Sequence, residues 1–231
     1  MAKPLRKYIL CSSQRSGSTV YCRLLRMTGV LGAPSEYLVL QKVASDVPEA
    51  DADALVRTAM DRMQEHATQN GITGVKLHFH QFEEFSGRVP LGAFGGFDLW
   101  VYVDRRDVIA QAVSLARAWQ THQYSSRHDA HGEASYSFDL IASAKRRLER
   151  DKAGWGNYFE NHGIRPRIVN YEDIVDDPEG TVGIVLQSFG VTSARPVSLA
   201  DVKLSVQRTD ESVEWVERFR AEQQSRQSGT P

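Results

Sequence analysis

Two cysteines in 231 residues, Cys11 and Cys22, leave no basis for a disulfide framework. Both fall within one short segment, where burial as free thiols is expected rather than a bridge. No apolar run approaches the roughly 20 residues that cross a bilayer, so no membrane span is expected. The amino terminus, Met1-Ala2-Lys3-Pro4-Leu5-Arg6-Lys7, is basic but has no apolar stretch behind it. That argues against secretion and for the cytoplasm. The formal net charge is −1, so no overall basic field exists to hold nucleic acid or a membrane surface, and any basic site must be local. There is no internal repeat and no low-complexity linker. His122, His128 and His131 lack the compact spacing of a zinc site, so no metal is expected. With 41% hydrophobic and 25% charged residues, the composition is that of a globular protein with one substantial core. A single domain over residues 1–222 is expected. The polar stretch 223–231 lacks apolar periodicity and is expected to be disordered.

The most informative stretch that is present runs from Tyr8 to Thr19. Tyr8-Ile9-Leu10-Cys11 is an apolar run that ends in Ser12-Ser13-Gln14-Arg15-Ser16-Gly17-Ser18-Thr19. An amphipathic segment with Val20, Leu24, Leu25 and Met27 follows at once. The pattern predicts strand, tight loop and helix. Such a loop brings backbone N–H groups and a helix amino terminus to one point, which suits a phosphate. Gly17 permits close backbone approach. Ser16, Ser18 and Thr19 offer hydroxyls, and Arg15 adds a positive fork. The plainer alternative is an ordinary capped turn. The loop is not a Walker A sequence: Ser12 stands where its first glycine would be, and Ser18 where its lysine would be.

Further along, strands and helices alternate. Helices are predicted over Ala52 to His66, from near Asp107, over Ser137 to Asn161, over Pro178 to Phe189 and over Ser212 to Arg220. Strands are predicted over Ile72 to Phe79, Leu99 to Val103 and Arg165 to Val169. This alternation implies an α/β fold with a central parallel sheet covered on both faces. Ligands in such sheets sit beyond the carboxyl ends of the strands, where both the loop and the residues after Val103 fall. There, Asp104-Arg105-Arg106-Asp107 opens a helix that carries Ser114 nine residues after Arg105. This arginine and hydroxyl could grip a second phosphate, or the cluster could simply cap the helix. Lys76 and His78 lie near the end of the second strand, with His80 assigned to the same face by period two. Tyr171 follows the last strand, and Gln207-Arg208 precede the last helix.

Arg15-Ser16-Gly17-Ser18-Thr19 resembles the 5′-phosphosulfate loop of sulfotransferases, a basic residue followed by hydroxyl, glycine and two hydroxyls. A closer resemblance, over roughly residues 8 to 220, is to the bacterial trehalose 2-sulfotransferase family. It is carried by Ser13 to Thr19, Thr28-Gly29-Val30, Pro34-Ser35-Glu36, Gly74-Val75-Lys76-Leu77, Arg105 to Ser114, Ala118 to Thr121 and Glu214-Trp215. Between Leu38 and Ile72 the chain is shorter than the mycobacterial enzymes.

The resemblance implies a P-loop-like three-layer αβα sulfotransferase fold. It implies 3′-phosphoadenosine 5′-phosphosulfate as sulfuryl donor, with no metal, and a small sugar or glycolipid hydroxyl as acceptor. Arg105 and Ser114 would read the 3′-phosphate, and Gln207 and Arg208 would fold over it. Arg15 would serve the leaving phosphate. Tyr171 would contact the adenine or simply pack. Glu36 holds the family's base position. His78, with Lys76 beside it, is the rival base, by likeness to cytosolic animal sulfotransferases. Related enzymes form homodimers. The competing function classes are a non-catalytic nucleotide-binding module and a P-loop-type kinase.

Overall fold

The computed structural model describes residues 4–44, 51–122, 132–202 and 210–228. Gln207, Arg208, His128 and His131 therefore lie outside the described residues. The chain gathers into two compact units, Met1–Asp104 with Asp151–Val202, and Arg105–Arg150 with Lys203–Pro231.

The first unit is built on a parallel sheet. Its strands are β1 (Arg6–Ser12), β2 (Ile72–His78), β3 (Leu99–Asp104) and β4 (Arg167–Asn170), in the order β2-β1-β3-β4. Every residue of β1 after Arg6 is buried, as both-face coverage of a parallel strand requires. Side chains alternate along it. Ile9 and Cys11 join Val75, Leu77 and Trp155 in one apolar core. Helices α3 (Ala52–Glu65) and α4 (Phe79–Ser86) pack there, with the last turns of α6 (Phe138–Asn161). Tyr8, Leu10 and Ser12 point to the opposite face. On that side lie α1 (Ser18–Met27) and α8 (Pro178–Phe189). Tyr8 meets Phe189 edge-on at 5.8 Å, and the Tyr21 hydroxyl donates to the Thr181 carbonyl at 2.7 Å. Helices on both faces of the sheet give the expected three layers. A methyl group at Gly74 would stand 2.2 Å from Tyr8 Cζ, so the ring crosses β2 only because that residue is glycine.

Several element ends follow from local chemistry. Asp177 accepts from the Gly180 N–H at 2.8 Å and Pro178 occupies the first turn of α8, which closes on Gly190 at φ 63°. β4 starts at Arg167 rather than Arg165, since Pro166 has no N–H for the ladder. β2 stops at His78 rather than Phe79. The Gln81 side chain accepts from the His78 N–H at 2.9 Å and starts α4. His80 consequently sits in that helix and not on the strand.

In the second unit, α5 (Val108–Thr121), the first part of α6 and α9 (Asp210–Ser228) share a core of Leu115, Ile141, Leu148, Trp215 and Phe219. Of the stretch 223–231 expected to be disordered, residues 223–228 are helical, and 229–231 lie outside the described residues. Neither glycine nor proline interrupts it before Gly229. Its anchor is Arg226, whose guanidinium lies 3.7 Å from the Phe138 ring centroid and 3.7 Å from Asp139. Both cysteines are buried free thiols. Among the described residues, no helix is long and apolar enough to cross a membrane, and no cluster of metal-ligating side chains occurs.

Candidate active site

The strand–loop–helix of the sequence is present as β1, residues 13–17 and α1. The loop turns through two left-handed residues, Arg15 at φ 61° and Gly17 at φ 83°. Arginine rarely adopts that conformation, and strain of this kind persists where a site over-determines the backbone. A methyl group at Gly17 would lie 2.5 Å from Tyr171 Cδ2, so the tyrosine ring covers the turn and only glycine fits beneath it. Tyr171 opens the short helix α7 (Tyr171–Asp176) after β4. Gly17 provides no side-chain cap to α1, and no acidic residue occupies the first turn. Ser16 is fully buried, and its Oγ has no hydrogen-bond partner among the described residues. A buried hydroxyl without a partner costs free energy unless something fills its lone valence.

Beside the loop, register assembles a second group of residues. Leu10 pairs with Lys76 and Ser12 with His78, so all four side chains share the α1 face of the sheet. Lys76 Nζ donates to Thr19 Oγ1 at 3.2 Å. Ser12 Oγ and His78 Nδ1 are 2.9 Å apart. Glu36 arrives from a distant part of the chain. Its neighbour Ser35 forms an isolated parallel bridge with Val75, on the open edge of β2, and the Ser35 carbonyl accepts from the Lys76 N–H at 2.8 Å. That bridge sets Glu36 Oε1 2.8 Å from Lys76 Nζ and 3.9 Å from His78 Nε2. The other carboxylate oxygen accepts from Lys42, in α2 (Leu40–Ala44), at 2.8 Å.

Burial would raise the Glu36 carboxyl, but the Lys76 charge opposes it, with hydrogen bonds from Lys42 and Lys76. The net effect holds Glu36 well below the usual carboxylate range. His78 moves the other way from charge. Burial, first, and the neighbouring Lys76 push its pKa well below the ordinary histidine value, against the pull of Glu36, so the ring stays neutral. His80, although on α4, stacks on it with centroids 5.8 Å apart.

Glu36, Lys76, His78 and Thr19 are thus brought together, next to Arg15, Ser16, Gly17 and Ser18. Ser12, Trp155 and Lys42 were not singled out from the sequence. Ser12 has a signal, its register opposite His78. Trp155 Nε1 donates to the Ser12 carbonyl at 2.9 Å, holding the strand end from the other face, and its apolar helical spacing advertised only core. Lys42 has no local signal. A cavity of about 240 Å³ opens beside this cluster, lined by Thr19, Arg23, Arg26, Ser35, Tyr37 and Lys76 among others.

In the second unit, Asp107 caps α5 by accepting from the Ala110 N–H at 3.0 Å and pairs with Arg220 at 3.0 Å. Arg105 precedes the cap and is half-buried, Arg106 is exposed, and Ser114 is half-buried on α5.

A parallel α/β sheet with a tight loop and a helix amino terminus after its first strand is a frame for handling phosphate-bearing groups. The chain belongs to the Stf0 sulphotransferase family, whose profile matches residues 7–222. It is 28% identical to the trehalose 2-sulfotransferase of Mycobacterium tuberculosis (strain ATCC 35801 / TMC 107 / Erdman), covering 96% of this chain and 97% of that protein. To the trehalose 2-sulfotransferase of Mycolicibacterium smegmatis it is 29% identical, covering 94% of this chain and 95% of that one. Among solved structures, the sulfotransferase domain of the Synechococcus PCC 7002 olefin synthase aligns with a TM-score of 0.45 at 14% identity, over 95% of this chain and 96% of that one.

Proposed function

We propose that this sulfotransferase moves a sulfuryl group from 3′-phosphoadenosine 5′-phosphosulfate to a hydroxyl of a carbohydrate or glycoside, with trehalose among the acceptors. The observation that carries this is the loop at residues 15–18. It combines a left-handed arginine, a helix start with glycine at its N-cap and the buried, unpartnered Ser16 hydroxyl, one residue short of the Thr19–Lys76–Glu36 chain. The residues present fit a phosphosulfate. Backbone N–H groups and Ser16 would take its phosphate oxygens, and Arg15 the charge that grows on the leaving phosphate. Arg105 and Ser114 are assigned to the 3′-phosphate by their match to the sulfotransferase pattern alone, and Gln207 and Arg208 likewise. Tyr171 packs over Gly17 and keeps the turn closed.

In the transfer, the acceptor oxygen bonds to sulfur as the bond from sulfur to the phosphate oxygen breaks. The acceptor proton passes to Glu36, and 3′-phosphoadenosine 5′-phosphate leaves with the electron pair. Glu36 is favoured over His78 because its side chain is 23% exposed against 11%, and because His78 is engaged by Ser12 behind it. Paired with two lysines, Glu36 is charged before the acceptor arrives but weakly basic. Lys76 turning toward the sulfuryl oxygens strengthens the base and screens the sulfuryl charge in one movement. The enzyme is proposed to act as a homodimer, by its resemblance to related enzymes.

Calorimetry with 3′-phosphoadenosine 5′-phosphate against ATP, followed by transfer assays with labelled donor and a panel of sugars, tests the function. Binding of the former without magnesium, and label on a sugar, is the expected result. Preference for ATP with magnesium would replace it with a kinase. Nucleotide binding without transfer to any sugar would leave a binding module.

A further inference from the structure

The cavity beside Lys76 has a charge pattern that a neutral sugar does not explain. Its volume of about 240 Å³ lies below the roughly 300–1,000 Å³ of sites for drug-sized ligands, which is room for about one sugar ring. Thr19, Ser35 and Lys76 form the end nearest Glu36. Arg23 and Arg26 form another wall, three residues apart on the same face of α1. Among the described residues, no aspartate, glutamate, asparagine or glutamine lines it. Sugar hydroxyls donate as well as accept, and carboxylates and carboxamides are the side chains that accept from them most readily. Here the side chains with charge only donate.

The two arginines differ in a useful way. Arg23 is half-buried and fixed by its Nη1 donating to the Val202 carbonyl at 2.9 Å. Arg26 is exposed and has no ion pair among the described residues. Its place in the last turn of α1 suits the helix dipole. That effect would favour a cation anywhere around the turn, whereas both arginines stand on the cavity side. An anion placed between two guanidinium groups one turn apart would be held by charge-assisted hydrogen bonds from both. Aromatic wall is provided by Tyr37, with His66 edge-on to it at 4.9 Å.

The geometry points to an acceptor that carries its own anionic group, a phosphate or carboxylate on the sugar, held by Arg23 and Arg26 with its hydroxyl toward Glu36. This rests on the sulfuryl-transfer reading and narrows its substrate class. The anionic group also orients the ring, because a bidentate fork fixes direction where a neutral ring could turn over. One end of the cavity then reads charge and the other performs transfer.

The test uses the full chain with saturating 3′-phosphoadenosine 5′-phosphosulfate and matched acceptor pairs: trehalose against trehalose 6-phosphate, and glucose against glucose 6-phosphate and glucuronate. The phosphate and carboxylate arms separate the two sources of charge. The charged partner should win in kcat/KM by about tenfold or more, the scale of one charged hydrogen bond. Arg26→Gln should collapse that ratio toward one, and Arg26→Lys should keep part of it. Affinity for 3′-phosphoadenosine 5′-phosphate, measured by calorimetry, should not change in either variant. Equal or better use of the neutral sugar overturns the inference, as does a ratio unmoved by Arg26→Gln. Lost nucleotide affinity in Arg26→Gln also overturns it, by giving the arginine to the donor. If the wild-type chain binds no 3′-phosphoadenosine 5′-phosphate, the donor assignment has failed and the inference falls with it. Nucleotide binding with preference for neutral sugars sinks the inference alone.

Discussion

The Lys76–Glu36 pair of the first unit and the Arg117–Glu211 pair of the second have the same 2.8 Å separation in different surroundings. Lys76 is 8% exposed and Glu36 23%, against 25% and 47% for Arg117 and Glu211. Around the first pair stand a second lysine, a buried histidine and a buried serine. Around the second lie solvent, the Ser212 hydroxyl at 2.8 Å and the Trp215 ring under the Arg117 guanidinium. Separation alone says little about what an ion pair does. Burial decides whether its charges alter the protonation of their neighbours or merely decorate a helix surface.

The contrast is sharpest at Glu36. Glu36→Gln keeps shape and removes the proton acceptor, so turnover should fall by about 10²-fold or more, the scale of general-base loss. Nucleotide affinity should hold. Single-turnover transfer under saturating donor measures it. His78→Gln should cost less. A dead His78 variant beside a near-normal Glu36 variant would move the base to the histidine.

Next in size is the loop. Arg15→Ala should weaken binding of 3′-phosphoadenosine 5′-phosphate by about 2 kcal/mol, the worth of a charge-assisted hydrogen bond. Arg105→Ala should lose a similar amount. Calorimetry on each variant separates the two assignments, and wild-type affinity in both would dismiss them. Magnesium should change neither value.

What could be seen from sequence divides along the same line. The loop was legible because strand, turn and helix are contiguous and the residues proposed to hold the phosphosulfate lie within Arg15 to Thr19. Lys76 and His78 were legible as a pair because two residues on a strand share a face. The meeting of Glu36 with Lys76 was not legible, since it depends on Ser35 bridging the open edge of β2. Lys42 reaches the same carboxylate from a helix that no periodicity marked. In the second unit, polarity suggested disorder after residue 222. The helix continues through Ser228, and Arg226 in its last turns meets Phe138, far away in sequence.

The buried cluster also predicts a pH dependence of stability. The folded pKa of His78 is lowered, so below the ordinary histidine value the unfolded chain binds a proton that the folded one refuses. Stability from this group is full above about pH 6.5 and falls as pH drops, by about 1.4 kcal/mol per unit until the folded pKa is reached. Glu36, also lowered, adds to the loss only once pH passes below the ordinary carboxylate value. Urea unfolding between pH 7 and pH 5.5 should show the slope, and His78→Asn should flatten it. An unchanged slope in that variant would place the titrating group elsewhere.

The smallest effect belongs to the pair that opened the comparison. Glu211→Gln keeps the shape at the start of α9 and removes the charge facing Arg117. Glu211 is about half-exposed, so its attraction to Arg117 is screened and the side chain gains freedom when released. Arg117 keeps its place over Trp215 and its hydrogen bond to Ser212. Stability by urea unfolding should therefore change by about 0.5 kcal/mol or less, with transfer rate unaltered. A loss of several times that size would mean the pair is shielded from solvent. Its 2.8 Å contact would then belong with Lys76–Glu36 rather than opposite it.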